Sequence, residues 1–345
     1  MKNNSPRAKV MLIYTGGTIG MKLDPTTSTL KPFNFSQILE EVPEISKFAH
    51  KIDTYSFSPI IDSSDIEPCR WQELASQIYN NYDKYDGFVI LHGTDTMAFS
   101  ASALSFMIGG LTKPIIFTGS QLPIGVPRTD GKENLISAVE IAAAKNEDGT
   151  AICPEVCIYF NNILMRGNRA TKINSEGFRA FDSPNYPPLA QAGISIKFDT
   201  SIIRRPSKDE KLSLNLNLDT RVSILKIHPG ITPEVVQNIL CGNNTRAIII
   251  ETYGSGNAIS KDWFIELIRK SIKMNRILLN TSQCLSGSVN MDIYANGAVL
   301  RDSGVIGAYD STTESALSKL FYLMGLSEDN DWVKTKLVED LRGEI

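Results

Sequence analysis

Two short turns carry the residue types that could do chemistry in this 345-residue chain. Thr15-Gly16-Gly17-Thr18-Ile19-Gly20 sets a hydroxyl among glycines, and His92-Gly93-Thr94-Asp95-Thr96 sets two hydroxyls around a carboxylate. A hydroxyl is a weak nucleophile and needs a neighbouring base to take its proton. The chain has no G-x-S-x-G elbow and only three histidines, so it lacks a serine-hydrolase arrangement. His50 and His228 have no informative context, and His92 suits orienting its turn better than acting as a base. Lysine or tyrosine is left as activator, and Lys172 in the run RGNRATK (166–172) is the candidate. A lysine accepts a proton only when neutral, a state favoured by burial and by cationic neighbours. Ser63 and Ser64, between Asp62 and Asp65, either bind a carboxylate or cap a helix beginning near Glu67.

Each turn also has a plainer reading. The GGxxG spacing is neither the dinucleotide GxGxxG nor a P-loop. Paired glycines let backbone approach a ligand closely, or simply hold a tight turn. The first turn is therefore a ligand-binding loop, the seat of a catalytic threonine, or structural. Any one of Thr94, Asp95 and Thr96 would serve as a helix cap.

The elements that must position these residues follow from hydrophobic patterning. The turns come straight after the apolar runs Lys9–Tyr14 and Gly87–His92, and the second leads into a small-residue helix, Ala98 to Met107. Strand-turn-helix units present their turns outside the carboxyl end of a sheet, so the two turns are expected to face each other across one pocket. Further strands at Pro114–Thr118 and Glu155–Phe160, with a helix at Glu133–Ala144 between them, predict a parallel α/β sheet. Residues 197–220 turn polar and read as a linker, with a hairpin strand in the alternating LSLNLNL (212–218). Strands at Val222–Ile227, Ala247–Thr252 and Ile277–Asn280 then alternate with helices at Pro233–Leu240 and Lys261–Met274. Helices at Thr313–Met324 and Asp331–Leu341 close the chain. The expected architecture is α/β in two domains. The larger, residues 1–196, has a mostly parallel sheet, and the smaller, residues 221–345, has its own parallel sheet.

Composition narrows the function classes. The chain is 42% hydrophobic and 21% charged with net charge −3, which argues against a nucleic-acid surface. No run approaches the roughly 18 apolar residues of a membrane span. The opening MKNNSPRAK leads into the short apolar run Val10–Tyr14, below the roughly 7–15 residues of a secretory core, so no leader is expected. Five scattered cysteines suit reduced thiols in a cytoplasm. Cys153 and Cys157 lack the further ligands of a zinc site, and no metal or other cofactor is expected.

Five stretches together resemble the bacterial-type L-asparaginases, with the cytoplasmic type I branch the nearer match. They are YTGGTIG (14–20), DSSDI (62–66), GFVILHGTDTMAFSASALSFM (87–107), TGSQLPI (118–124) and RGNRATK (166–172). The likeness continues through TYGSGNA (252–258), SQCLSGSVNM (282–291) and LRGE (341–344), so it spans nearly the whole chain. It implies hydrolysis of the side-chain amide of L-asparagine to L-aspartate and ammonia, without a cofactor. By motif, Thr18 is similar to the nucleophilic threonine, and Thr94, Asp95 and Lys172 to a second catalytic group. Ser63 would hold the substrate α-carboxylate and Asp95 its α-ammonium, with Gly17, Asp62 and Ser64 completing the binding set. The glycine turn and the Thr94 N–H would receive the oxyanion. Which threonine attacks first is not fixed by the motifs; Thr18 is adopted, with Thr94–Lys172 as proton relay.

The resemblance also exposes departures. Many relatives place a lid tyrosine after TGGTI; here Met21 to Phe33 contains none, and Leu30 falls near its place. Tyr294, from an adjacent subunit, is the expected substitute. Cytoplasmic relatives can carry a second, regulatory asparagine site near a cysteine, here Cys284 beside Thr171. A familiar arginine there is Glu251, which predicts weak or absent asparagine-driven cooperativity. Relatives assemble as dimers or dimers of dimers, so a cytoplasmic homodimer or homotetramer is expected. Two rival readings are an amino-acid-binding protein without catalysis and the asparaginase-like subunit of a tRNA-dependent amidotransferase. The latter would need a domain ahead of the strand at Lys9.

Overall fold

The computed structural model describes residues 8–24, 29–32, 41–48 and 50–345. The chain forms two compact units, Met1–Leu214 and Asn215–Ile345.

The first unit is built on an eight-stranded sheet. Its strands lie in the order Ile196–Phe198, Ala190–Ala192, Ile163–Arg166, Val156–Phe160, Ile115–Thr118, Gly87–Leu91, Lys9–Tyr14, Lys51–Ser56. The five from Val156–Phe160 to Lys51–Ser56 are parallel. The apolar runs of the first four are buried on both faces, as a helix-covered parallel sheet requires, while the edge strand Lys51–Ser56 is partly exposed. Val10, Leu12, Tyr14, Val89 and Leu91 pack in one cluster with Leu135, Ala138 and Val139 of helix Gly131–Ala143. From Lys9–Tyr14 the chain goes first to one neighbour, Lys51–Ser56, and then across to the other, Gly87–Leu91. Strand order therefore reverses between Lys9–Tyr14 and Gly87–Leu91, where such sheets open a crevice.

Three antiparallel strands extend the sheet where the sequence showed only a parallel pattern. Asn161 and Asn162 both take positive φ, 48° and 67°, and close a two-residue hairpin between Val156–Phe160 and Ile163–Arg166. Lys172 therefore does not simply follow a parallel strand into the site. The return strand carries the chain back until Arg166 lies opposite Cys157. There Arg166, buried, pairs with buried Glu155 at 2.6 Å and donates to the Ile202 carbonyl at 2.9 Å. The turn Gly167–Arg169 then passes helix Met97–Met107 so closely that a Cβ on Gly167 would sit 3.1 Å from the Ala101 methyl. Thr171–Lys172 pairs with Phe181–Asp182, and the Phe181 ring packs at a tilt against Phe160, 5.2 Å between centroids, at the sheet's carboxyl end.

Residues 197–220 hold no local hairpin. Ser213–Leu214, the part of LSLNLNL that forms a strand, pairs instead with Ile108–Gly109.

The second unit has four strands, Val222–Lys226, Ala247–Thr252, Ile277–Ser282 and Ile306–Gly307, all parallel and in chain order. Helices Pro233–Cys241 and Asp262–Lys273 contribute Val236, Leu240, Phe264 and Ile268 to one core cluster; Thr313–Leu326 and Asn330–Leu337 contribute Leu320, Leu323 and Val333 to another. The last helix stops at Leu337, short of the expected Leu341. The buried Lys319 ammonium takes the Leu337 and Glu339 carbonyls, and the buried Glu344 carboxylate takes the Leu341 and Arg342 N–H groups. Those side chains satisfy backbone groups that a longer helix would have used. Among the described residues no helix is long and apolar enough to cross a membrane.

The Glu155–Arg166 pair anchors the segment that ends in Lys172, and removing one partner strands a buried charge. Glu155→Ala is expected to lower the unfolding free energy by roughly 3–5 kcal/mol, read from urea denaturation.

Candidate active site

Ser56, Tyr14, Leu91 and Thr118 end four adjacent parallel strands in register. Each strand releases one turn at the same edge. Those turns carry Ser63, Thr18, Thr94 and Gln121.

Hydrogen bonds fix how they meet. Thr15 donates through both its N–H and its hydroxyl to the Leu91 carbonyl, at 3.0 and 3.1 Å, and its own carbonyl accepts from Ile61 N–H at 2.9 Å. Gly17, at φ 96°, then lies so close to the second turn that a Cβ would sit 2.6 Å from the nitrogen and Cα of Gly93. A Cβ on Gly16 would strike the Ile61 carbonyl, and one on Gly93 would strike the Ser63 side chain. Three turns thus touch backbone to backbone, a contact that only glycine permits. Thr18 opens the short helical turn Thr18–Gly20 and is half-buried. Its hydroxyl has no hydrogen bond among the described residues. Beneath it, the Tyr14 hydroxyl donates to the Gly17 carbonyl at 3.3 Å.

The capping alternatives do not hold. Helix Pro68–Asn81 starts after Glu67 with no side-chain cap, so neither Ser63 nor Ser64 serves it. Ser64 instead donates its N–H and hydroxyl to Asp62, at 3.0 and 2.9 Å. Thr96 stands at the N-cap of Met97–Met107, yet its hydroxyl turns away to the Ser63 carbonyl at 2.7 Å. It ties two turns together instead. Ser63 itself is buried against Gly93.

Lys172 donates to the Thr94 hydroxyl at 2.9 Å and to Asp95 at 2.6 Å. The near neighbour of the lysine is thus a carboxylate, with which it forms an ion pair. The Asp95 side chain is 63% exposed, so one of its oxygens is open to a further partner. Thr94 in turn donates toward Oε1 of Gln121 at 3.4 Å, a residue that reasoning from the sequence quoted within TGSQLPI but gave no role. Its position directly after strand Ile115–Thr118, at the same sheet edge, was the available signal. Beside Gln121 opens a cavity of about 500 Å³ lined also by Leu122, Arg128, Glu176 and Phe178.

His92 is buried and works from behind. Trp71 Nε1 donates to the Ser100 hydroxyl at 2.9 Å, and that hydroxyl lies 2.9 Å from His92 Nε2. The chain of donors assigns the remaining proton to Nδ1, which donates to the Gly93 carbonyl at 2.7 Å. In a trans peptide the Thr94 N–H then points the opposite way, and among the described residues it has no partner. Burial lowers the His92 pKa to about 4, so the ring is neutral and orients the turn.

Tyr294, 55% exposed, precedes helix Ala295–Asp302 in the second unit, which also holds the exposed Cys284. Glu251 there pairs with Lys226 at 3.3 Å and accepts from Thr313 at 2.7 Å. Thr171 is buried in the first unit, opposite Asp182. Leu30 pairs in register with Leu23 in a hairpin, and residues 25–28 and 33 of the lid segment lie outside the described residues.

The chain is similar to known proteins along most of its length. Residues 9–204 match the family "Asparaginase, N-terminal" and residues 221–336 the "Glutaminase/Asparaginase C-terminal domain". It is 40% identical over 340 residues to L-asparaginase 1 of Escherichia coli strain K12, covering 98% of each chain. It is 36% identical over 364 residues to the 60 kDa lysophospholipase of Mus musculus, covering 99% of this chain and 63% of that protein. The crystal structure of L-asparaginase I from Vibrio cholerae aligns with a TM-score of 0.88 at 41% identity, over 98% of this chain and 99% of that one.

A neutral buried histidine couples stability to pH. With its pKa near 4 in the fold and about 6.5 unfolded, His92 contributes stability that is present above pH 6.5 and lost as pH falls toward 4. Unfolding free energy should fall by about 3 kcal/mol across that window from this group, and His92→Gln should remove that component in urea titrations.

Proposed function

The chain belongs to the asparaginase family and is an amidohydrolase of the L-asparaginase type, and we propose that Thr18 is its nucleophile. The observation that carries the catalytic assignment is the Lys172 ammonium shared between Thr94 and Asp95, beside the turn that presents Thr18.

Asparagine is a zwitterion with a neutral amide, and the site offers a complementary set. The open side of Asp95 receives the α-ammonium. Ser63 donates to the α-carboxylate, with Asp62 and Ser64 holding its turn and Gly17 allowing close approach. The side-chain amide then lies toward Thr18. The Thr18 oxygen attacks the amide carbon, and the oxyanion is received by the unpartnered Thr94 N–H and the glycine turn. The Thr18 proton passes through Thr94 and Lys172 to the departing nitrogen, which leaves as ammonia. Because Lys172 rests as an ion-paired donor, each proton it gives is replaced from Thr94. Water then cleaves the aspartyl ester, releases L-aspartate and restores the Thr18 hydroxyl.

We place this enzyme in the cytoplasm as a homodimer or homotetramer, with neither nucleic acid nor membrane as a partner. Tyr294 of a neighbouring subunit supplies the lid hydroxyl missing after TGGTI; its exposure and the absence of tyrosine from residues 21–33 support this. Glu251, compensated by Lys226, leaves asparagine-driven cooperativity at Thr171 and Cys284 weak or absent.

Ammonia release from asparagine and glutamine is the direct test. Thr18→Ala should lower kcat by about 10³-fold or more, and Lys172→Met by about 10²–10⁴-fold. Purified protein that cleaves a lysophospholipid ester and leaves asparagine intact would overturn the assignment. Tyr294→Phe is expected to lower kcat by about 10²-fold, in the range of a lost transition-state hydrogen bond; an unchanged kcat removes Tyr294 from the site.

A further inference from the structure

We propose that Gln121 is a positioning residue: a single amide that fixes the direction of the Thr94 hydroxyl and ties it to the hairpin bearing Lys172. The proposal rests on the catalytic reading above and deepens it.

The backbone of Gln121 is held before its side chain is considered. Its N–H lies 3.0 Å from both carboxylate oxygens of Asp130, and the next N–H, of Leu122, donates to the same group at 3.2 Å. Asn134, one turn into the following helix, donates to Asp130 at 3.2 Å and to the Gly119 carbonyl at 3.0 Å. The turn after strand Ile115–Thr118 is therefore bolted to the start of helix Gly131–Ala143.

From that base the side chain reaches two places at once. Nε2 donates to the Gly177 carbonyl at 3.1 Å. A carbonyl only accepts, so this bond settles which end of the amide is nitrogen. Oε1 is then the atom facing Thr94, and it too only accepts. Thr94 must be the donor in its 3.4 Å contact with Gln121, while the same hydroxyl oxygen receives Lys172 at 2.9 Å. In the resting site the order of donors runs Lys172 to Thr94 to Gln121 to Gly177. The Thr94 contact is long for an O–H···O bond, as such bonds often are before substrate closes the site.

Gly177 gives the second half of the argument. It lies in the loop between Thr171–Lys172 and Phe181–Asp182, and its N–H is fixed by the Asn174 side chain at 2.9 Å. The Gln121 amide thus joins the loop next to Lys172 to the turn holding Thr94. The two members of the relay come from segments 78 residues apart in the chain. Gln121 bridges them without touching Asp95 or Ser63 in the hydrogen-bond network, so its loss should act on turnover more than on substrate affinity.

The experiment measures kcat, KM and thermal midpoint for the intact chain, Gln121→Met and Gln121→Glu, with ammonia release from asparagine as readout. Methionine keeps the length and loses both hydrogen bonds. It should lower kcat by about 10-fold with KM within about twofold, as expected for a relay slightly misplaced. Glutamate keeps the acceptor facing Thr94 and should recover kcat to within about threefold of the intact chain. A Gln121→Met enzyme with unchanged kcat overturns the proposal. Equal loss of kcat in both variants, accompanied by a lowered thermal midpoint, also overturns it and leaves Gln121 as a loop fastener. An intact chain that releases no ammonia instead refutes the catalytic reading itself.

Discussion

Everything at the carboxyl edge of the larger sheet depends on backbone touching backbone at Gly17 and Gly93. Neighbouring strands in a sheet stand about 4.8 Å apart, so turns leaving adjacent strands are naturally close. Side chains at Gly16, Gly17 or Gly93 would wedge them apart. Without Cβ atoms there, the hydroxyls of Thr18 and Thr94 issue from a common wall. The Thr15 bonds to Leu91 and the Thr96 bond to Ser63 then lock three separate turns into one surface.

Charge placement divides the labour within this frame. The imidazole that a hydrolase might use as a base is sealed in, neutral, and spends both nitrogens on orientation. The carboxylate is left in the open, where it can exchange partners between a resident lysine and an incoming cation. Lys172 stands between the two environments, with a modestly exposed side chain, and donates to both Thr94 and Asp95. A pair that is partly solvated contributes little to stability, so its geometry has to be supplied by what surrounds it.

Much of this was readable from residues alone, and the failures are instructive. Apolar runs such as Lys9–Tyr14 and Ala247–Thr252 coincide with strands because burial on both faces leaves no room for polar positions. The antiparallel strand Ile163–Arg166 was not legible because its four residues are too short for a periodicity of their own, although Asn161-Asn162 is a good two-residue turn. Thr96 and Ser63 were ambiguous in principle: the same hydroxyl can cap a helix or cross to another turn, and only the three-dimensional neighbour decides. The grouping of Asp95 with Lys172 came from the family resemblance and not from spacing, since 77 residues separate the two in the chain. Gln121 had no signature of its own, since an amide's role lies wholly in what it faces.

Trp71 gives this architecture a practical reach. Its indole N–H begins the series that ends at the Gly93 carbonyl, and it is the tryptophan of the first unit, the other two, Trp263 and Trp332, lying in the second. Its emission therefore reports the packing directly behind the Thr94 turn from within the native chain. Replacing Trp263 and Trp332 with phenylalanine would leave a single tryptophan, which can be excited apart from the tyrosines, so that loosening of this wall could be followed by light without attaching any label.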